Sequence, residues 1–217
     1  MKISDLKQQL SKSKVKGLAL DIDETLSFTA KYWVDELTRK FGNPENISAR
    51  EVLEKYIIIQ RYPHFKNDKA QAWMKRARSS NKLQEQLPII ENANHIVNKI
   101  NKIVPIVCYL TVRPDSTVEG TRRWLNKHNF PKAPVITRPR NIRYSKGSLW
   151  KAGVLNYLYP EVLGIVDDSP YLIENMPQDY KGTVFLYDYH KSHTKKNNLI
   201  YCKDWNEVLK NVKKTFT

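Results

Sequence analysis

The stretch Gly17-Leu18-Ala19-Leu20-Asp21-Ile22-Asp23-Glu24-Thr25-Leu26 constrains this chain more than any other. An apolar run over 15–20 stops abruptly at two carboxylates one residue apart. A short, unbroken apolar run marks a strand buried on both faces of a parallel sheet. Such sheets do their chemistry at the carboxyl ends of their strands. Asp21 is therefore expected at a strand end, with Asp23 just past it. Two acids this close repel unless a cation lies between them or one of them carries a proton. In the first case a hard divalent ion would take the carboxylate of Asp21 and the backbone carbonyl of residue 23. In the second, one acid attacks while the other donates a proton. Taken alone, Asp-x-Asp also fits a turn whose acids are merely solvated.

Three further features narrow the choice. Leu163-Gly164-Ile165-Val166-Asp167-Asp168 is a second apolar strand ending in two acids. Between the two acidic ends lies Pro105-Ile106-Val107-Cys108-Tyr109-Leu110-Thr111, an apolar strand ending in a hydroxyl. A lysine-bearing helix, Ser148-Leu149-Trp150-Lys151-Ala152, follows it. In this order the four motifs resemble those of the haloacid dehalogenase-like (HAD) hydrolases: Asp-x-Asp-x-Thr, a strand-end Ser or Thr, a Lys at the start of a helix, and a strand-end Asp-Asp. Together they frame most of the chain. The acid at position 23 makes the resemblance one to the phosphatases, because dehalogenating members generally lack it.

The resemblance implies roles that the chemistry of the residues also allows. Asp21 would attack phosphorus and form an aspartyl-phosphate. Asp23 would protonate the leaving alkoxide and then deprotonate the hydrolytic water. Thr111 would hydrogen-bond a phosphoryl oxygen, and Lys151 would set its charge against Asp21 and the phosphoryl group. Asp21, Asp23 and Asp167 would bind Mg²⁺, with Asp168 a direct or water-mediated ligand. Lys146 competes with Lys151 for the lysine role, and Asp167 with Asp168 for direct ligation. Arg113 could reach a substrate anion or could form a salt bridge within its loop. Tyr32 and Trp33 could stack on a base or pack between cap and core. His64 reads as a surface histidine, and Trp73, Trp124 and Trp205 as core.

The 217 residues suffice for one domain with an insertion. The alternation of apolar strands with helical patterns predicts a Rossmann-like parallel α/β sheet flanked by helices. Strands are expected over 15–20, 104–110, 133–137, 162–166 and 183–187, with an edge strand over 199–202. Core helices are expected over 3–14, 91–103, 117–128, 148–158, 171–176 and 205–212, with a loop over 190–198. Residues 28–88 show no convincing strand. Helical patterns cover 32–41, 49–61 and 69–78, broken at Gly42-Asn43-Pro44 and Tyr62-Pro63. Ser48 and Glu51 have the spacing of a capping box. The block reads as a small all-helical cap, residues 28–88, inserted into a core of residues 1–27 and 89–217.

A net charge of +15 points to an anionic substrate or partner. Nine basic residues and no acid lie between Arg122 and Pro160. A second group, Arg61, Lys66, Lys69, Lys75, Arg76, Arg78 and Lys82, falls in the helical block. No apolar run approaches a membrane span, and the first sixteen residues have no apolar signal core. With two cysteines and no zinc-site spacing, buried free thiols in a cytoplasmic setting are expected. The leading expectation is a Mg²⁺-dependent phosphatase acting on a small anionic phosphorylated substrate such as a nucleotide, with no membrane partner. The helical block, the Thr-x-Arg-Pro segment and the final Asp-Asp are locally similar to those of deoxyribonucleotidases. The basic charge and the Trp-Lys helix allow nucleic acid as partner, either to a polynucleotide end phosphatase or to a catalytically idle HAD-fold binder.

Overall fold

The computed structural model describes residues 2–56, 58–188 and 198–217. The loop expected over 190–198 and the Ile57 position therefore lie almost wholly outside the described residues. Six parallel strands form one sheet in the order β3-β2-β1-β4-β5-β6. They are β1 (Gly17–Leu20), β2 (Ile106–Pro114), β3 (Val135–Arg138), β4 (Val162–Asp167), β5 (Thr183–Tyr187) and β6 (Leu199–Cys202). The inner strands β1, β2 and β4 are buried along almost their whole length, because both their faces are covered. Their alternate residues feed two separate cores. Leu18 and Leu20 of β1 pack with α6 (Ala93–Asn101), α7 (Val118–Lys127) and α10 (Trp205–Phe216). Ala19 packs on the other face with α1 (Ile3–Ser13), α8 (Gly147–Leu158) and α9 (Pro170–Asn175).

Register decides where the strand ends fall. Leu20 lies opposite both Tyr109 of β2 and Val166 of β4. Asp21, Thr111 and Asp167 consequently emerge at the same edge of the sheet. β2 runs beyond its expected end, to Pro114, because Thr111 pairs with Thr137 and Pro114 with Arg138 of β3.

Between β1 and β2 the chain makes α2 (Thr29–Phe41), α3 (Ala49–Tyr56), α4 (Asp68–Arg78) and α5 (Asn81–Gln84). These helices bury their own cluster, with Trp33, Leu37, Val52, Tyr62, Phe65 and Met74 at its centre. Ser48 and Glu51 exchange the hydrogen bonds of a capping box: the Ser48 N–H donates to Oε2 of Glu51 at 2.7 Å, and the Glu51 N–H to Oγ of Ser48 at 3.2 Å. The helix expected over 49–61 stops at Tyr56. Ile58 is extended, and short 3₁₀ turns follow at Ile59–Arg61 and Pro63–Lys66. The pattern of apolar residues continues there; Pro63 restricts only Tyr62, and nothing in the structure explains the earlier end. Trp73, expected in the core, is only partly buried and meets Trp33 edge-on at 6.2 Å. The two crossings into and out of this helical insertion are tied together. Phe28 N–H donates to the Pro88 carbonyl and Ile90 N–H to the Leu26 carbonyl, each at 2.8 Å.

Candidate active site

β1 delivers Asp21 into the sheet edge with 6% of its surface exposed. Its backbone N–H donates to the Val166 carbonyl at 2.9 Å, which fixes the strand end to β4. The chain then turns sharply. Glu24 takes a left-handed conformation at φ 58°, and the N–H groups of Leu26 and Ser27 both donate to the Ile22 carbonyl at 2.9 Å. The indole Nε1–H of Trp205 donates to the Thr25 carbonyl at 3.1 Å and braces the turn from α10. The same indole is core, as expected, so one side chain packs the sheet and holds the motif.

Lys151 comes from the second turn of α8 and is 3% exposed. Its ammonium contacts Asp21 Oδ1 and Asp167 Oδ2 together. Burial works against the ammonium, but Asp167 and Asp21 outweigh it and hold the Lys151 proton above the usual lysine range. Lys146, its competitor, is exposed at the preceding 3₁₀ turn. Asp167 is fully buried, and its Oδ1 accepts from the Ser169 N–H at 2.8 Å. Asp168 is partly exposed, and its Oδ1 accepts from the Thr25 hydroxyl at 3.3 Å. Thr111 is buried, with its hydroxyl accepting from the Arg113 N–H at 3.2 Å.

Asp23 stands apart from this cluster, on Arg113. The guanidinium Nη2 donates to Asp23 Oδ1 at 2.7 Å and Nε donates to Oδ2 at 2.9 Å. Arg113 is itself fastened by donating to Thr121 Oγ1 and Ser27 Oγ, each at 3.1 Å. The Thr29 hydroxyl adds a bond to Asp23 Oδ1 at 2.5 Å. Burial would raise the Asp23 pKa, but the Arg113 charge and these bonds prevail and lower it. Arg113 thus faces Asp23 in this structure. The salt bridge expected as an alternative lay within the Arg113 loop; the acid is instead Asp23, ninety residues away in the first motif.

The opposite shift holds around Asp21. Burial pushes its carboxyl up to about 7, with Asp167 and Asp23 adding to the effect and Lys151 opposing it. Burial raises Asp168 well above the usual range, with Asp167 and Asp21 contributing. Glu24 goes up to about 8 through burial, although it accepts from the Ala30 N–H at 2.6 Å. Sequence reasoning passed over Glu24, Thr29 and Thr121. The first neighbours the motif, but nothing in the pattern shows that the other two would meet it.

Among the described residues, no three His, Cys, Asp or Glu side chains converge on a point that could hold a metal as they stand. The donor chemistry nevertheless fits a hard dication. Asp21, Asp167 and Asp168 are all oxygen donors, and they have one ammonium among them. Soft ligands are missing from the set, which suits Mg²⁺ over zinc or copper. The free thiols, Cys108 and Cys202, are both buried. No helix of the described residues is long and apolar enough to cross a membrane.

No protein-family model and no curated protein matches the sequence. Solved structures match its fold. Protein tyrosine kinase A of Mycobacterium tuberculosis superposes with a TM-score of 0.59 at 12% identity, over 91% of this chain and 98% of that one. A candidate β-phosphoglucomutase of Bacteroides vulgatus gives 0.50 at 13%, over 99% of this chain and 98% of that one. A HAD-superfamily hydrolase of Geobacter sulfurreducens gives 0.49 at 15%, over 91% of this chain and 99% of that one. At such identities the likeness is one of fold alone: a parallel α/β sheet flanked by helices.

Proposed function

We propose that this chain is a Mg²⁺-dependent phosphatase that hydrolyses a small phosphomonoester, a nucleotide by preference, through an aspartyl-phosphate. The observation that carries the reading is the opposite treatment of two neighbouring acids. Asp21 is buried against one lysine, while Asp23 is clamped in its ionised form by a guanidinium. Divergent environments for paired carboxylates are how one site supplies both a nucleophile and an acid–base group.

The residues divide the work as follows. Asp21 attacks phosphorus through a carboxylate oxygen as the bond to the leaving oxygen breaks. The Lys151 charge sits against Asp21 and favours its ionised form and the charge of the arriving phosphoryl group. Thr111 is placed at the same edge to donate a hydrogen bond to a phosphoryl oxygen. Asp23, ionised in the free protein, is ready for the second half-reaction, in which it takes a proton from the attacking water. For the first half it must carry a proton to the leaving alkoxide. An incoming phosphate dianion supplies the reason, because a like charge raises a carboxyl pKa. Mg²⁺, held by Asp21, Asp167 and Asp168 with the backbone carbonyl of Asp23, would neutralise phosphoryl charge. The helical insertion would act as a cap that selects the substrate.

The test is phosphate release from nucleotides, sugar phosphates and end-phosphorylated oligonucleotides, by the unmodified protein and by Asp21→Asn. Turnover in the former and none in a folded Asp21→Asn protein is expected. Substantial release by the variant would remove Asp21 from the role. Salt-dependent binding of nucleic acid with no turnover of any phosphoester would favour an idle binder instead.

A further inference from the structure

Arg78, the last residue of α4, sits where the helical insertion meets the core. Its guanidinium lies 5.7 Å from the ring centroid of Trp33 in the insertion and 4.1 Å from that of Tyr144 in the core. Those two rings are its only partners: among the described residues it makes no hydrogen bond and no ion pair. The neighbouring cations that face carboxylates are accounted for. Arg140 pairs with Asp115 at 2.8 Å, Arg122 with Glu119 at 2.7 Å and Arg123 with Glu85 at 2.8 Å. Arg138 is spent on backbone, donating from Nε to the Val112 carbonyl at 3.2 Å and from Nη1 to the Ile142 carbonyl.

Arg78 is half-buried, and its guanidinium nitrogens are not sealed from solvent. Stacking on aromatic rings holds the plane and orientation of a guanidinium but leaves its in-plane donors free for a ligand. Arg138 also lies over the Tyr144 ring, at 6.0 Å, so two positive groups share one ring, a setting that favours an anion. Burial lowers the Arg138 pKa, and the charge of Arg78 lowers it further. Lys75, one turn before Arg78 on α4, is exposed and adds a second positive charge to that surface of the helix. A chain of contacts leads from this position towards the reaction centre: Arg138, which lies over the same Tyr144 ring, bonds the Val112 carbonyl, between Thr111 and Arg113.

We propose that Arg78 is a specificity-determining residue that binds a second phosphate on the leaving group of the substrate, with Tyr144 as the ring that positions it. The class of substrate is then a phosphomonoester carrying a further phosphate or phosphodiester, as in a nucleoside bisphosphate or a phosphorylated oligonucleotide end. This rests on the phosphatase reading for the reaction but not for binding. Arg–phosphate pairs are charge-assisted and commonly bidentate, so the second phosphate should tighten binding by roughly ten- to a hundredfold.

The experiment uses the full chain as Asp21→Asn, which holds ligand whether or not the protein is a phosphatase. Equilibrium dialysis compares adenosine 3′,5′-bisphosphate with adenosine 5′-monophosphate, and a 5′-phosphorylated dinucleotide with the same monophosphate. At least one of the two ligands with a second phosphate or phosphodiester should bind about tenfold or more tightly than the monophosphate. The arm showing the larger ratio identifies the source of the second phosphate. Adding Arg78→Gln should bring that ratio close to one, Tyr144→Phe should keep it, and Tyr144→Ala should reduce it. Equal binding of all ligands, or a ratio that survives Arg78→Gln, overturns the proposal. Failure of turnover in the unmodified protein, with the ratio intact, would count against the phosphatase reading alone.

Discussion

Arg113 holds Asp23 by two parallel hydrogen bonds, Nη2 to Oδ1 at 2.7 Å and Nε to Oδ2 at 2.9 Å. A guanidinium fork can do this, and an ammonium cannot. Arg113→Lys should therefore keep a positive charge near Asp23 but release its orientation. Turnover is expected to fall by about 10² or more, the scale of a general acid–base contribution, while circular dichroism stays native. Activity within a few-fold of the unmodified protein would show that Asp23 needs no clamp.

Lys151 contacts two carboxylates while Lys146 is exposed, so their substitutions should part company. Lys151→Met leaves Asp21 and Asp167 facing each other in a buried site. It should abolish turnover and cost about 3–5 kcal/mol in urea unfolding, as breaking a buried pair does. Lys146→Gln should leave both quantities near their starting values. A comparable loss of turnover in Lys146→Gln would return the lysine role to that residue.

Three acids sharing one ammonium should bind a dication even with no substrate present. Mg²⁺ at a hundred times its dissociation constant would add about 2.7 kcal/mol of stability. A rise in Tm with Mg²⁺ is expected in the unmodified protein, and it should vanish in Asp167→Asn. Calorimetry showing the same Tm with Mg²⁺ and with excess chelator would remove the metal from the site.

His128 offers a pH effect remote from the chemistry. Its ring packs on Trp124 at 4.8 Å, and its Nε2 is buried with no hydrogen-bond partner among the described residues. Burial, with Lys127 adding, lowers its pKa below the ordinary value of 6.5. A depressed folded-state pKa means that the unfolded chain takes the proton first as pH falls. The stability contributed by neutral His128 is thus present above pH 6.5 and lost on acidification below it. His128→Gln should flatten that part of the stability–pH profile, as read from urea midpoints between pH 7.5 and 5. An unchanged acid limb would mean that the ring is hydrated in both forms.

Strand ends were legible in the sequence because a buried parallel strand must be apolar throughout, and that makes its polar terminus conspicuous. Asp21, Thr111 and Asp167 stand out for this reason. Lys151 was legible as a helix residue, but only the packed fold shows it buried on two carboxylates while Lys146 is exposed. What the sequence withheld were contacts set by tertiary geometry alone. Thr121 lies eight residues and Ser27 eighty-six residues from Arg113, yet both fasten its guanidinium. The pairing of Arg78 with Tyr144 bridges two regions that no local pattern connects. The helix expected to reach residue 61 ends at Tyr56 although the apolar spacing persists, so periodicity alone did not mark its end.

Two glycines make opposite predictions, and the second concerns the joint between insertion and core. Gly153 lies within α8, where an added Cβ meets nothing within 4 Å. Gly153→Ala should raise stability by about 1 kcal/mol through helix propensity. Gly120 lies in α7 directly under α5, where a Cβ would fall 2.3 Å from the Asn81 carbonyl oxygen. That close approach lets Asn81 bind the core twice, accepting from the Gly120 N–H at 2.6 Å and donating to the Ser116 carbonyl at 2.8 Å. Gly120→Ala must displace backbone, so α5 should lift and the joint loosen. The expected signature is faster amide exchange across residues 68–84 with little change in the sheet, together with reduced turnover of the preferred substrate. Exchange that accelerates equally throughout the sheet would instead make Gly120 a determinant of global stability, with no particular hold on the insertion.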